Sequence, residues 1–125
     1  MSVHVYWQDD EHTILVYRVA SPWNLGDLYN ALAQAGELSS EQSPEYIIFD
    51  VSRSDTMPRG FFSSIRHMQR AYSNTVKLRV LVGADGTTRS IFSIIKRVAP
   101  NLTRTVYLTP QLNDALTLIE QHQDD

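Results

Sequence analysis

The stretch Tyr46-Ile47-Ile48-Phe49-Asp50-Val51 decides the fold class. Every residue in it except Asp50 is apolar or aromatic. A strand with one face in water would alternate apolar and polar side chains, so this run reads as a strand covered on both faces. Upstream, Val3, Val5 and Trp7 alternate with His4 and Tyr6, and a second run from Thr13 to Val19 is rich in β-branched and aromatic residues. The polar tetrapeptide Gln8-Asp9-Asp10-Glu11 between them predicts an antiparallel hairpin.

Between hairpin and central strand, Ser21 or Asn24 is suited to cap a helix. Pro22 fits a first turn, and Asp27 stands three residues after Asn24 to favour the helix dipole. Leu25, Leu28, Leu32 and Ala35 recur at helical spacing, and the helix is expected to end between Gly36 and Ser40. Downstream the pattern alternates: helix 59–72, strand 77–82, helix 88–98, strand 104–108, helix 110–122. Phe61, Ile65, Met68 and Tyr72 stripe the first of these helices, and Ile91, Ile95 and Val98 the second. Leu112, Ala115, Leu116 and Ile119 stripe the third, with Thr109 as expected cap and Pro110 at the first helical position. The sequence therefore predicts an α/β fold: a mixed five-stranded sheet flanked by four α-helices in the order ββαβαβαβα, in one domain spanning 1–125.

Composition fits that reading. The 125 residues are 42% hydrophobic and 20% charged, ordinary for a globular domain. The absence of cysteine excludes disulfides, thiolate metal ligands and a cysteine nucleophile. No basic-then-apolar leader opens the chain, and no apolar run approaches the roughly 20 residues that span a bilayer, so a cytoplasmic location without a membrane span is expected. Charge is sorted along the sequence. Ten of eleven basic residues lie between Arg53 and Arg104 with only Asp55 and Asp85 among them, about +8, while Arg18 and twelve acidic residues give the remainder about −11. Such segregation creates a field able to attract an anionic ligand or an acidic protein surface.

The element order, with a strand ending in Asp50-Val51-Ser52, a loop, and a helix opening near Gly60, resembles the STAS domain family, the sulfate-transporter and anti-sigma-factor-antagonist fold. It looks closest to the SpoIIAA-like group of small stand-alone bacterial proteins. The resemblance runs through the helix start at Trp23, Tyr46 to Ser52, Pro58-Arg59-Gly60 and the Val82-Gly83 turn. It implies a regulatory module working by protein contact. In antagonist members a serine or threonine at this helix start is phosphorylated, where a phosphate meets free backbone N–H groups. Here the corresponding place reads Met57-Pro58-Arg59-Gly60, and the nearby hydroxyls Thr56, Ser63 and Ser64 do not occupy the motif position. Arginine at that helix start suggests direct anion binding instead.

Two loops carry the candidate site residues. The first, Ser52 to Gly60, supplies Ser52, Arg53, Thr56, Arg59 and Gly60, with Asp55 and Ser52 also suited to cap the turn. The second, Gly83-Ala84-Asp85-Gly86-Thr87-Thr88, reads either as a tight turn or as a ligand-contacting one, with Thr87 or Thr88 as cap. Both are expected at the carboxyl ends of strands, where ligands of open α/β sheets commonly sit. Arg59, Arg66 and Arg70 form a basic ridge on one expected helix, and Arg89, Ser93 and Lys96, with Arg97 beside them, repeat it on the next.

Other chemistry finds little support. His4, His12, His67 and His122 are scattered without metal-ligand spacing, Ser63 and Ser64 lack a nucleophile elbow, and the dinucleotide fingerprint and Walker lysine are absent. Phe61 and Phe62 are adjacent on a helix, so one of them is available as an apolar lip beside the loops. The expectation is a non-catalytic protein-interaction module without cofactor or metal, whose first loop and adjacent basic helix meet an acidic protein surface or a second copy of the chain. The alternative is a carrier or sensor for a small anionic or lipid-like ligand. Nucleic acid is not expected, because the chain is acidic overall and no aromatic residues follow the basic ridge.

Overall fold

The computed structural model describes residues 2–54, 58, 60–61 and 75–123. Strands β1 (Val3–Trp7) and β2 (Ile14–Ala20) form the opening hairpin, helix α1 (Leu25–Leu38) follows, and β3 (Tyr46–Arg53) is the central strand. The second half comprises β4 (Leu78–Val82), α2 (Gly86–Val98), a single turn α3 (Pro100–Thr103), β5 (Val106–Thr109) and α4 (Leu112–Gln123). The sheet is mixed and runs β1-β2-β3-β4-β5 in space. Only β1 is antiparallel to its neighbour; β2 through β5 are parallel, with Val16 beside Ile48, Ile48 beside Val80 and Val80 beside Tyr107.

Because strand side chains alternate, β3 feeds two cores. Ile47, Phe49 and Val51 face one layer with Leu15, Tyr17 and Leu81, against Leu28, Ala31 and Ala35 of α1. Tyr46 and Ile48 face the other with Val16, Val80 and Val82, against Ala115 and Ile119 of α4. Double coverage explains the apolar run, and each fully buried side chain of this kind contributes about 1.5–3 kcal/mol.

Asn24, not Ser21, caps α1. Its side chain accepts from the Asp27 N–H at 2.9 Å while the Asp27 carboxylate accepts from the Asn24 N–H at 3.0 Å, a reciprocal box that satisfies two donors at once. The helix ends at Leu38 with Ser39 as its cap.

Three expectations are corrected. Asp85, not Thr87 or Thr88, caps α2, because its carboxylate reaches the Thr88 N–H at 2.7 Å and starts the helix earlier than position 88. The inward face of α2 is Thr88 and Phe92 with Ile95 beside them, while Ile91 and Val98 are exposed. Apolar residues at 91, 92, 94, 95 and 98 offer two overlapping stripes, and the one holding the large Phe92 is buried. Thr109 belongs to β5 and its hydroxyl donates to the Gln111 carbonyl, so α4 starts at Leu112, with Asp114 receiving the Gln111 N–H at 3.2 Å. The expected helix 59–72 lies outside the described residues apart from Gly60 and Phe61.

Candidate functional site

Because β2, β3, β4 and β5 run parallel, the chain leaves each of them at one edge of the sheet, where hydrogen bonds join the exits in two pairs and a close backbone approach joins the pairs into a rim. After β2, the Trp23 indole N–H donates to the Ser54 hydroxyl at 2.7 Å and Ser21 N–H donates to the Arg53 carbonyl at 3.3 Å. After β4, Gly83 N–H donates to the Thr109 carbonyl of β5 at 2.9 Å. Between these pairs, Gly83 presses on Ser52: a Cβ added to it would lie 2.5 Å from the Ser52 Cβ. Its φ of +76° is left-handed, so the position requires glycine twice over.

Ser52 is held from below. Asp50, only 5% exposed, accepts from the Ser52 N–H at 3.0 Å and from its hydroxyl at 2.6 Å, both through Oδ1. The carboxylate mimics a backbone turn and fixes the chain where it leaves the sheet. The Ser52 hydroxyl is thereby engaged as a donor, while the residue remains exposed. Arg53, the next residue, is exposed as well.

On the other side of Gly83, Arg89 lines an open cleft of about 320 Å³ with Ala84, Leu108, Thr109 and Pro110. The start of α2 is already supplied with negative charge: hydrogen bonds from Thr88, with Arg89 as a lesser influence, hold the Asp85 carboxyl below the usual aspartate value. Thr88 is buried, whereas Asp85, Gly86 and Thr87 are exposed. Asp85 thus fills the position a phosphate would take at this helix end.

Of the expected site, Ser52, Arg53, Gly83, Asp85, Gly86, Thr87 and the buried Thr88 all lie at the carboxyl edge of the sheet, with Ser52 and Gly83 in contact. Gly60 has a φ of +88°, and Phe61 N–H donates to the Pro58 carbonyl at 3.1 Å. Thr56, Arg59, Arg66 and Arg70 lie outside the described residues, as do Asp55, Phe62, Ser63, Ser64 and His67. Phe61 is buried against Trp23 and Phe49 and is no apolar lip. Three contributors escape the sequence reading: Asp50, Trp23 and Thr109. Only Asp50 leaves a local trace, an aspartate two residues before a serine at the end of an apolar strand.

Electrostatically, the described basic residues do not form one patch. Arg53 and Arg89 stand at the carboxyl edge and Lys96 and Arg97 along α2, while Lys77, Arg79 and Arg104 lie at the amino ends of β4 and β5. The acids Asp9, Asp10 and Glu11 occupy the β1–β2 turn. Among the described residues the only ion pair is Lys77 to Glu45 at 2.7 Å, so Arg53, Arg89, Lys96 and Arg97 remain unpaired with carboxylates within 4 Å. Among the same residues no group of three metal-ligating side chains gathers, and no helix is long and apolar enough to cross a membrane.

No protein-family model matches the chain, and no curated protein matches its sequence.

Proposed function

We propose that the chain is a non-catalytic regulatory module, STAS-like in architecture, that recognises an acidic protein surface at the carboxyl edge of its sheet. The observation that carries this reading is that Arg53 and Arg89 stand exposed on either side of the close Ser52–Gly83 contact, with no carboxylate within 4 Å of either among the described residues. Exposed guanidinium groups can pair bidentately with a partner's carboxylates, which spreads the loss of side-chain freedom over two hydrogen bonds. The five-stranded mixed sheet with helices on both faces supports the architectural half of the reading. The test is charge reversal: Arg53→Glu with Arg89→Glu is expected to abolish capture of an acidic partner at unchanged melting temperature. Capture retained by the stable variant removes this edge from consideration.

The cleft beside Arg89 favours one further reading, a small ligand with a carboxylate and an apolar body, since Ala84, Leu108 and Pro110 share its lining. A thermal-shift series with nucleotides, inorganic phosphate and fatty acids separates the two readings, because a ligand bound to the native state raises the melting temperature by mass action. The protein-partner reading expects no shift with any of these compounds.

A further inference from the structure

Among the described residues no strand pairs with the outer edge of the sheet at β5. Arg79 N–H donates to the Thr105 carbonyl and Gly83 N–H to the Thr109 carbonyl. In a parallel ladder, residues of one parity point their backbone groups at the neighbouring strand, so 105, 107 and 109 are directed at β4. Val106 and Leu108 therefore turn their N–H and C=O groups away from the sheet, and β5 is its terminal strand. No hydrogen bond from the described residues meets those outward groups. The usual protections of an edge are missing within the strand itself: Val106-Tyr107-Leu108-Thr109 contains no proline, no charge and no bulge.

Cations frame this edge. Because Arg89 shares a cleft with Leu108, Thr109 and Pro110, its shoulder of α2 faces the end of β5. Lys96 lies seven residues on, about 20° round the helix and about 10.5 Å along it, a span comparable to the roughly 13 Å of a four-residue strand. Both side chains are exposed, as is Arg104 just before the strand. On the opposite face of β5, Tyr107 is 45% exposed. A second copy pairing β5 with β5 would bring these cations against their own counterparts, and like charges across an interface oppose association.

We propose that β5 is a docking edge for an extended acidic segment of a partner protein, which adds to the sheet as a sixth strand. Its backbone would pair with Val106 and Leu108, with carboxylates toward Arg89 and Lys96 and apolar side chains toward Tyr107. The inference rests on the acidic-partner reading and adds the mode of docking. Arg53 lies away from β5, so the two have separate failures: loss through Arg53→Glu concerns the rim, and loss through a backbone change in β5 concerns strand addition.

The probe is a fluorescein-labelled peptide of about eight residues alternating glutamate and valine, followed by fluorescence anisotropy at low salt. Val106→Pro removes one outward N–H at the first strand position, where proline is tolerated, and is expected to weaken binding about tenfold or more at unchanged melting temperature. Should that variant fail to fold, amide hydrogen exchange on the unaltered protein decides: the peptide is expected to slow exchange at Val106 and Leu108 but not at Tyr107, whose N–H is directed at β4. Four results would overturn the proposal: no binding up to about 1 mM peptide, equal affinity for Val106→Pro, protection confined to other strands, or sedimentation showing that two copies pair along β5 without peptide.

Discussion

Gly83 and Ser52 are in such close contact that the two strand exits they belong to leave no room for a side chain at position 83. A Cβ on Gly83 would meet the Ser52 Cβ at 2.5 Å, its Cα at 2.6 Å and its N at 2.9 Å, and two of these are backbone atoms that cannot rotate away. Gly83→Ala is therefore expected to destabilise the protein by about 2–4 kcal/mol, combining left-handed strain with overpacking. Gly86→Ala is the control. Its nearest neighbour, the Arg89 guanidinium, lies 4.0 Å away, and alanine there is expected to stabilise by about 0.5 kcal/mol. Urea denaturation of both variants checks the contrast.

Trp23→Phe tests the bond that ties the start of α1 to the exit of β3. Phenylalanine retains the contacts with Phe49 and Phe61 but cannot donate to the Ser54 hydroxyl. A loss of about 1 kcal/mol is expected, together with chemical-shift changes at Ser54 that the remote β5 does not share. A loss nearer 3 kcal/mol would mean that the indole ring, rather than its N–H, holds the rim.

The β1–β2 turn carries a pH signature. Burial alone would raise the Asp9 carboxyl, but hydrogen bonds from the Thr13 hydroxyl and from the Ile14 and Thr13 amides overcome it and hold the group below 3.8. A folded-state value below the unfolded one adds stability that is complete above the unfolded value and is lost as pH falls through the folded one. The stability advantage of the native chain over Asp9→Asn is thus expected to be constant from neutral pH to about pH 5 and to shrink as pH falls below about 4, the ordinary aspartate range. Urea midpoints measured across that range provide the check, and an advantage that grows on acidification contradicts the assignment.

Recognition through exposed arginines predicts strong salt dependence. Binding of an acidic partner to the native protein is expected to weaken steeply between low salt and about 0.5 M, where the screening length falls to a few ångströms. Removing Arg53 is expected to lower the slope as well as the affinity. An affinity indifferent to salt would point to the apolar lining of the cleft instead.

Sequence was most informative where the deciding interactions are local. The Tyr46–Val51 run, the Asn24 and Asp27 pair and the spacing of Leu25, Leu28, Leu32 and Ala35 each encode their structure within a few residues. The facing of α2 was not legible, because adjacent apolar positions allow two stripes and only tertiary packing decides that Phe92 is buried while Ile91 and Val98 are exposed. The Gly83–Ser52 approach joins positions 31 residues apart, so the sequence shows a turn glycine at 83 but not the residue it approaches. The basic segment is continuous along the chain, yet the fold sends Arg53 and Arg89 to one edge of the sheet and Lys77, Arg79 and Arg104 to the other. A chain that reverses through every βα unit divides whatever charge its sequence has gathered.

The central claim is that the carboxyl edge, extended along β5, is the surface that meets an acidic partner. An amide chemical-shift titration of the uniformly labelled protein with the alternating glutamate–valine peptide tests it most directly. Perturbations concentrated at Ser52, Arg53, Gly83 to Arg89, Val106 and Leu108, and lost on raising the salt, are the predicted result. Perturbations gathered instead on α4 or the β1–β2 turn, or spread evenly over the surface, would contradict it.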